Sequence, residues 1–189
     1  MSFEQTLKVP LDRIGVLVGK QGSTKAEIEK TCNVSLNIDS KTGEVTVRLK
    51  GSIEEAEPFK AIAIINAISR GFSPERAFKL LSDSCILETI DLREYVGRSK
   101  DALTRIKGRI IGLRGKARRV IEELTGTEIS VYGHTVAIIG EPEGVKLASD
   151  AVKMLASGSQ HSTVYRMLQR AKQQAKFERL KLWEEEVGG

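Results

Sequence analysis

Apolar and polar positions alternate along "FEQTLKVP" and "ILETIDL", and again along "VSLNI", "EVTVRLK", "EISVY" and "TVAIIG". A period of two predicts strands with one buried face. Elsewhere the period lengthens. Ala26, Ile28 and Cys32 mark one amphipathic helix, and Ala117, Val120, Ile121 and Leu124 mark another. Longer helices are predicted from Ile53 to Arg70 and from Glu143 to Ala156. Thr163 to Glu186 reads as a last helix, with Val164, Met167, Leu168, Ala171, Ala175, Leu182 and Trp183 apolar.

These elements repeat. A shift of 93 positions lays Gly15, Gly19 and Gly22 on Gly108, Gly112 and Gly115, and Ile28 and Glu29 on Ile121 and Glu122. It also lays Leu36 and Ile38 on Ile129 and Val131. "VTVRLKG", from Val45, matches "HTVAIIG", from His134, at a shift of 89. So many matches in phase mean a duplication. The four extra residues of the first copy fall between its last two strands, where a variable loop absorbs them. Each copy reads β-α-α-β-β-α. That order predicts an α+β fold in which each three-stranded sheet carries helices on one face.

Between the copies lies "GFSPERAFKLL". Gly71 can end one helix, while Ser73 as N-cap and Pro74 at the first helical position start a short connecting helix. After the second copy Ser157-Gly158-Ser159 breaks the chain. The expected divisions are 1–70, 71–83 as connector, 84–157, and 158–189 as a basic amphipathic C-terminal helix.

Composition changes this picture little, but charge distribution changes it a good deal. Charged residues make up 29% and the net charge is +5, ordinary values for a globular chain. Between Arg98 and Arg119, however, nine Lys/Arg stand against one Asp. Such a field suits a polyanionic partner such as nucleic acid, and an anionic membrane surface less well. Cys32 and Cys85 form no CxxC pair, and His134 and His161 are the only imidazoles, so neither a zinc site nor any cofactor is expected. No segment has the length and apolarity to cross a bilayer, and "MSFEQTLKVP" lacks a signal-peptide core. The expected home is the cytoplasm.

The densest charge surrounds a glycine turn. Gly112, Leu113, Arg114 and Gly115 stand between two helical segments, as Gly19, Lys20, Gln21 and Gly22 do in the first copy. Glycine permits unusual torsions and close approach of a ligand backbone. The turn feeds a helix N-terminus, whose free N–H groups and dipole favour phosphate. Arg114, Lys116, Arg118 and Arg119 add positive charge there, with Lys107 and Arg109 just upstream.

A Gly-x-x-Gly turn between the first two helices of β-α-α-β-β-α resembles the type I KH domain, and two such domains are expected. The resemblance implies single-stranded RNA binding, with the loop clamping about four nucleotides by their backbone. It implies an apolar groove for the bases, lined by Ile110, Ile111 and Ile129 in the second copy and by Leu17, Val18 and Leu36 in the first. The connector, the second repeat "IIGLRGKARRVIEELTGTEISVYGHTVAIIG" and the tail "STVYRMLQRAK" together resemble the partner-of-Nob-one (Dim-two) family of small-ribosomal-subunit assembly factors. That resemblance implies binding near the 3′ end of precursor small-subunit rRNA and work beside the Nob-type endonuclease that trims it. Little chain precedes the first strand, where eukaryotic members carry a long extension, so the resemblance is to an archaeal member. The first copy keeps an intact Gly19–Gly22 turn, which eukaryotic members lack.

The copies differ in charge. Lys8 to Lys30 carries five Lys/Arg and three acids, far less than the second loop region. The second copy is therefore expected to dominate RNA binding. The first, or the C-terminal helix, could hold the endonuclease or another assembly or translation factor. No enzyme is expected: "GVLVGKQ" is not a phosphate-binding P-loop, and no Ser-His or Cys-His arrangement is spaced for catalysis. The competing functions are a KH-fold interaction scaffold and a generic KH protein acting on messenger RNA or in an RNA-degrading complex.

Overall fold

The computed structural model describes residues 3–188. It divides into two compact units between Leu87 and Glu88.

The first unit begins with β1 (Glu4–Lys8), α1 (Leu11–Val18), α2 (Ser23–Cys32), β2 (Val34–Ile38) and β3 (Glu44–Leu49). It closes with α3 (Pro58–Ser69), the single-turn α4 (Pro74–Ala77) and a 3-10 turn, Phe78–Leu81. The sheet is antiparallel in the order β1-β3-β2, with Leu7 opposite Val45 and Leu36 opposite Val47. Alternation along β2 and β3 buries Val34, Leu36, Val45 and Val47, and the helices bury Ile14, Leu17, Ile28, Ile64 and Ile68. Helices stay on this one face because the other carries Glu4, Ser35 and Arg48, all exposed. Arg48 and Glu4, opposite each other in the register, form a 2.9 Å ion pair there.

The second unit repeats the order, with β4 (Ile86–Asp91), α5 (Arg93–Val96), α6 (Lys100–Ile111), α7 (Lys116–Thr125), β5 (Glu128–Tyr132), β6 (Thr135–Gly140) and α8 (Pro142–Ala156). Its sheet order, β4-β6-β5, matches the first. Ile110, Ile121, Ile129, Val136, Ile138, Val145 and Val152 form its core. The extra residues of the first copy lie in the hairpin. Asp39–Gly43 joins β2 to β3, with the Asp39 carboxylate accepting from Lys41 N at 2.8 Å, whereas Gly133 and His134 alone join β5 to β6.

Three expectations shift. The helix expected from Ile53 begins at Pro58, because Pro58 fixes φ at the first helical position and residues 53–55 form a turn ahead of it. Ala26 is exposed and Thr24 is buried in its place, the position equivalent to Ala117. The C-terminal helix is α9 (His161–Val187), beginning two residues before the expected Thr163. Val164 and Leu168 are fully buried in the second unit's core, against α7 and α8, while the helix from Lys172 onward is almost wholly exposed.

The connector forms as its caps dictate. Gly71 takes φ 100°, and the Ser73 hydroxyl accepts from Arg76 N at 3.4 Å. Not foreseen was Phe72, which is fully buried with the Arg76 guanidinium 5.0 Å from its ring centre.

Candidate nucleic-acid interface

The two glycine turns have the same backbone. Gly19 and Gly112 take φ/ψ of 75°/176° and 73°/176°, a region open essentially to glycine alone. A Cβ on Gly112 would stand 2.7 Å from both Ala117 N and Ala117 Cβ, and one on Gly19 would stand 2.8 Å from Thr24 N. Gln21 and Arg114 follow in the left-handed region, and Gly22 and Gly115 at φ 75° lead into α2 and α7. Gly15 O accepts from Gly19 N at 2.9 Å, and Gly108 O from Gly112 N at 2.8 Å, ending each first helix at the turn.

Neither α2 nor α7 has a side-chain cap or an acidic residue in its first turn. Ser23 N and Lys116 N donate back into the turns, to Lys20 O and Leu113 O, and no carboxylate in the first turn offsets the positive dipole end that each helix presents there. Around the second turn, Leu113 is 84% exposed and Arg114, Lys116 and Arg119 are exposed. Lys20 and Gln21 are exposed at the first.

The other site residues separate into two groups. Arg118 is half-buried and leans on the sheet, its Nη1 3.5 Å from Ile129 O and 3.6 Å from the Glu122 carboxylate. Lys107 is half-buried on α6. Arg109 turns away from the clamp: its guanidinium donates to Leu155 O at 3.0 Å and to Ser159 O, and its own carbonyl meets His161 Nε2 at 2.8 Å. It braces the end of α8 and the start of α9. Ile110 and Ile129 are core residues with no exposed surface, and in the first unit Leu17 and Leu36 are likewise buried. These four offer nothing to a base. Of the expected groove residues only Ile111 and Val18, both half-buried, keep accessible surface.

Two features went unread in the sequence. Glu29 and Glu122, matched by the duplication, each accept from an amide of the edge strand: Leu36 N at 2.8 Å and Ile129 N at 3.1 Å. Each thereby satisfies one amide of the strand at the edge of its own sheet. The repeated Ile-Glu pair was the available signal. The second feature is a pair of equivalent braces. In the first unit Arg13 donates to Ile68 O and Phe72 O, both at 2.8 Å. It does the work of Arg109 from a place one helical turn earlier in the repeat, so a residue-by-residue match hides it.

Among the described residues no helix is long and apolar enough to cross a membrane, and no group of three His, Cys, Asp or Glu could hold a metal ion.

A family model for the eukaryotic-type KH domain (KH-domain type I) matches residues 86–173, and a KH-domain model matches residues 4–67. A KH domain-containing protein of Methanocaldococcus jannaschii is 47% identical over 95% of this chain and 78% of its own length. The solved structure of Dim2p from Pyrococcus horikoshii is 49% identical, with a TM-score of 0.81, over 89% of this chain and 99% of that one. The chain belongs to the Dim2 (Pno1) family of tandem KH proteins. A further Dim2 structure, the complex of a/eIF2alpha, aDim2p and rRNA from Pyrococcus horikoshii, matches at 48% identity with a TM-score of 0.85. It covers 92% of this chain and 96% of that one. The pre-rRNA-processing protein Pno1 of Debaryomyces hansenii is 30% identical over 70% of this chain, which spans 52% of that relative's length. The tandem type I KH architecture expected from the glycine turns is thus the architecture of the Dim2 family.

Proposed function

We propose that this chain is a single-stranded RNA-binding protein of small-ribosomal-subunit assembly. It holds RNA near the 3′ end of the (pre-)small-subunit rRNA, mainly through its second KH domain, and so assists the endonuclease that processes that end. The observation that carries this reading is the Gly112–Gly115 turn. Its glycine torsions, uncapped helix start and surrounding cations meet at one exposed point. An RNA backbone passing over Gly112 meets the positive dipole end of α7, while Arg114, Lys116 and Arg119 neutralise phosphates. Arg118 and Ile111 face the bases. The Gly19–Gly22 turn is a second, weaker clamp of the same design. A relative named for pre-rRNA processing and a Dim2 complex containing rRNA support the choice of RNA.

The protein acts by presenting RNA rather than by cutting it, in the cytoplasm. A Nob-type endonuclease or another assembly or translation factor docks through the first domain or α9. Anisotropy titrations test the assignment. A labelled single strand with the sequence of the small-subunit rRNA 3′ region should bind more tightly than an unrelated strand of equal length or than its own duplex. Equal affinity for all three would leave a scaffold with a generic polyanion surface.

A further inference from the structure

The outer half of α9 is exposed from Lys172 to Val187, apart from half-buried Ala175. Arg166 to Lys181 carries six Lys/Arg and a single acid, Glu178, whose carboxylate meets Gln174 Nε2 at 3.2 Å. At about 100° per residue, Lys172, Lys176, Arg179 and Trp183 fall within about 60° of one another and span about 16 Å of helix. This stripe lies roughly 70° round the helix from the buried seam of Val164 and Leu168. All four residues are exposed, Trp183 at 62%. Leu180 and Phe177 lie further round, and Glu184, Glu185 and Glu186 bound the stripe at its C-terminal end.

We infer that this stripe is a second contact for single-stranded RNA: Lys172, Lys176 and Arg179 hold phosphates and Trp183 stacks on a base. The inference rests on the RNA reading above and extends it beyond the clamps. Three cations in line with one aromatic is the arrangement by which proteins track single strands, with charge on the backbone and a ring under the base. A helix built for a protein groove carries apolar residues along the middle of its contact face, whereas here cations hold three of the four positions. The stripe is also continuous with the clamp unit, because α9 packs on α7, the helix that follows the Gly112–Gly115 turn.

Trp183 is the only tryptophan in the chain, so its emission reports on this contact alone. The full-length protein is titrated with a 20-nucleotide single-stranded RNA while RNA anisotropy and tryptophan emission are followed together. Emission should be quenched over the same concentration range in which anisotropy rises. Trp183→Ala should weaken binding about five-fold or more. Changing Lys172, Lys176 and Arg179 to Gln should lower the slope of log affinity against log salt by about two, at ~0.7 for each phosphate. Unaltered thermal unfolding would show that these variants keep the fold. RNA binding with unchanged emission and an unchanged slope would overturn the inference and leave the clamp reading standing. No RNA binding at all would overturn both. An emission shift produced by anionic vesicles or by added protein, but not by RNA, would assign the stripe to a membrane or a protein instead.

Discussion

Gln21 and Arg114 stand in the same left-handed conformation, at φ 55°, ψ 30° and φ 54°, ψ 29°. They occupy equivalent places in the two turns. Both copies thus keep the backbone of a clamp, and what separates them is charge: a cation at one apex, a neutral amide at the other, and a far more basic neighbourhood around Arg114. Left-handed torsions cost a non-glycine residue about 1–2 kcal/mol. That strain persists at both apices, as it does where a site fixes the conformation it needs.

Replacing either apex with glycine relieves the strain but loosens the unfolded chain by about 0.5–1 kcal/mol. Gln21→Gly and Arg114→Gly should therefore range from neutral to about 1 kcal/mol stabilising in urea unfolding. Only Arg114→Gly should also weaken RNA binding appreciably. Gly112→Ala should instead destabilise by about 2 kcal/mol or more, because it forces a Cβ onto Ala117 in a region closed to alanine.

Arg109 and Arg114 should separate cleanly. Arg109→Ala removes hydrogen bonds to two carbonyls and should cost about 2 kcal/mol of stability, leaving the salt slope of RNA binding unaltered. Arg114→Ala should leave unfolding unaltered and lower that slope by about 0.7. Arg13→Ala should match Arg109→Ala in stability, since it braces the end of α3 in the same way.

Truncation tests where the fold ends. Removing the chain from Lys172 onward should leave unfolding of the second unit nearly unchanged. Removing it from Thr163 should cost about 2–5 kcal/mol, because Val164 and Leu168 leave the core. Denaturant unfolding of the two truncations against full length measures this.

The thiols differ in access. Cys85 is half-buried and should react with a thiol reagent in the native protein, while Cys32, fully buried, should react only on unfolding. Burial pushes the Cys32 thiol up to about 11 from an ordinary value of 9.0. A group whose pKa is higher in the folded state holds its proton there after the unfolded chain has lost it. Stability should thus fall as pH rises from about 9 toward 11, and Cys32→Ala should remove that component of the fall.

Most of the fold was legible because a duplication supplied two independent readings of each element. Strands announced themselves by alternation, the turns by glycine, and the connector by Ser73 and Pro74. Of the candidate site, the backbone of the turn at Gly112 to Gly115 and the exposure of the cations around it were legible. It was illegible where one apolar position serves either core or groove. Ile110 and Ile111 are adjacent on α6, and only packing decides that the first is buried and the second half-open. Arg109 looked like its cationic neighbours, because no pattern in the chain says that Leu155 O and Ser159 O would stand within its reach. The helical period of α9 was legible, but not that Val164 and Leu168 would be buried while Leu182, on the same face further along, stays exposed.

The central claim is that the second turn is the principal RNA clamp, and paired acidic substitutions test it most directly. Changing Leu113 and Arg114 both to Asp, and separately Lys20 and Gln21 both to Asp, places two carboxylates at each clamp. All four positions are exposed, so the fold should survive. Affinity for single-stranded RNA should fall strongly with the Leu113 and Arg114 pair and less with the Lys20 and Gln21 pair. Equal losses would contradict the dominance of the second domain. Undiminished binding by both variants would contradict the clamp itself, and the basic run from Arg98 to Arg119 would be a solvated surface.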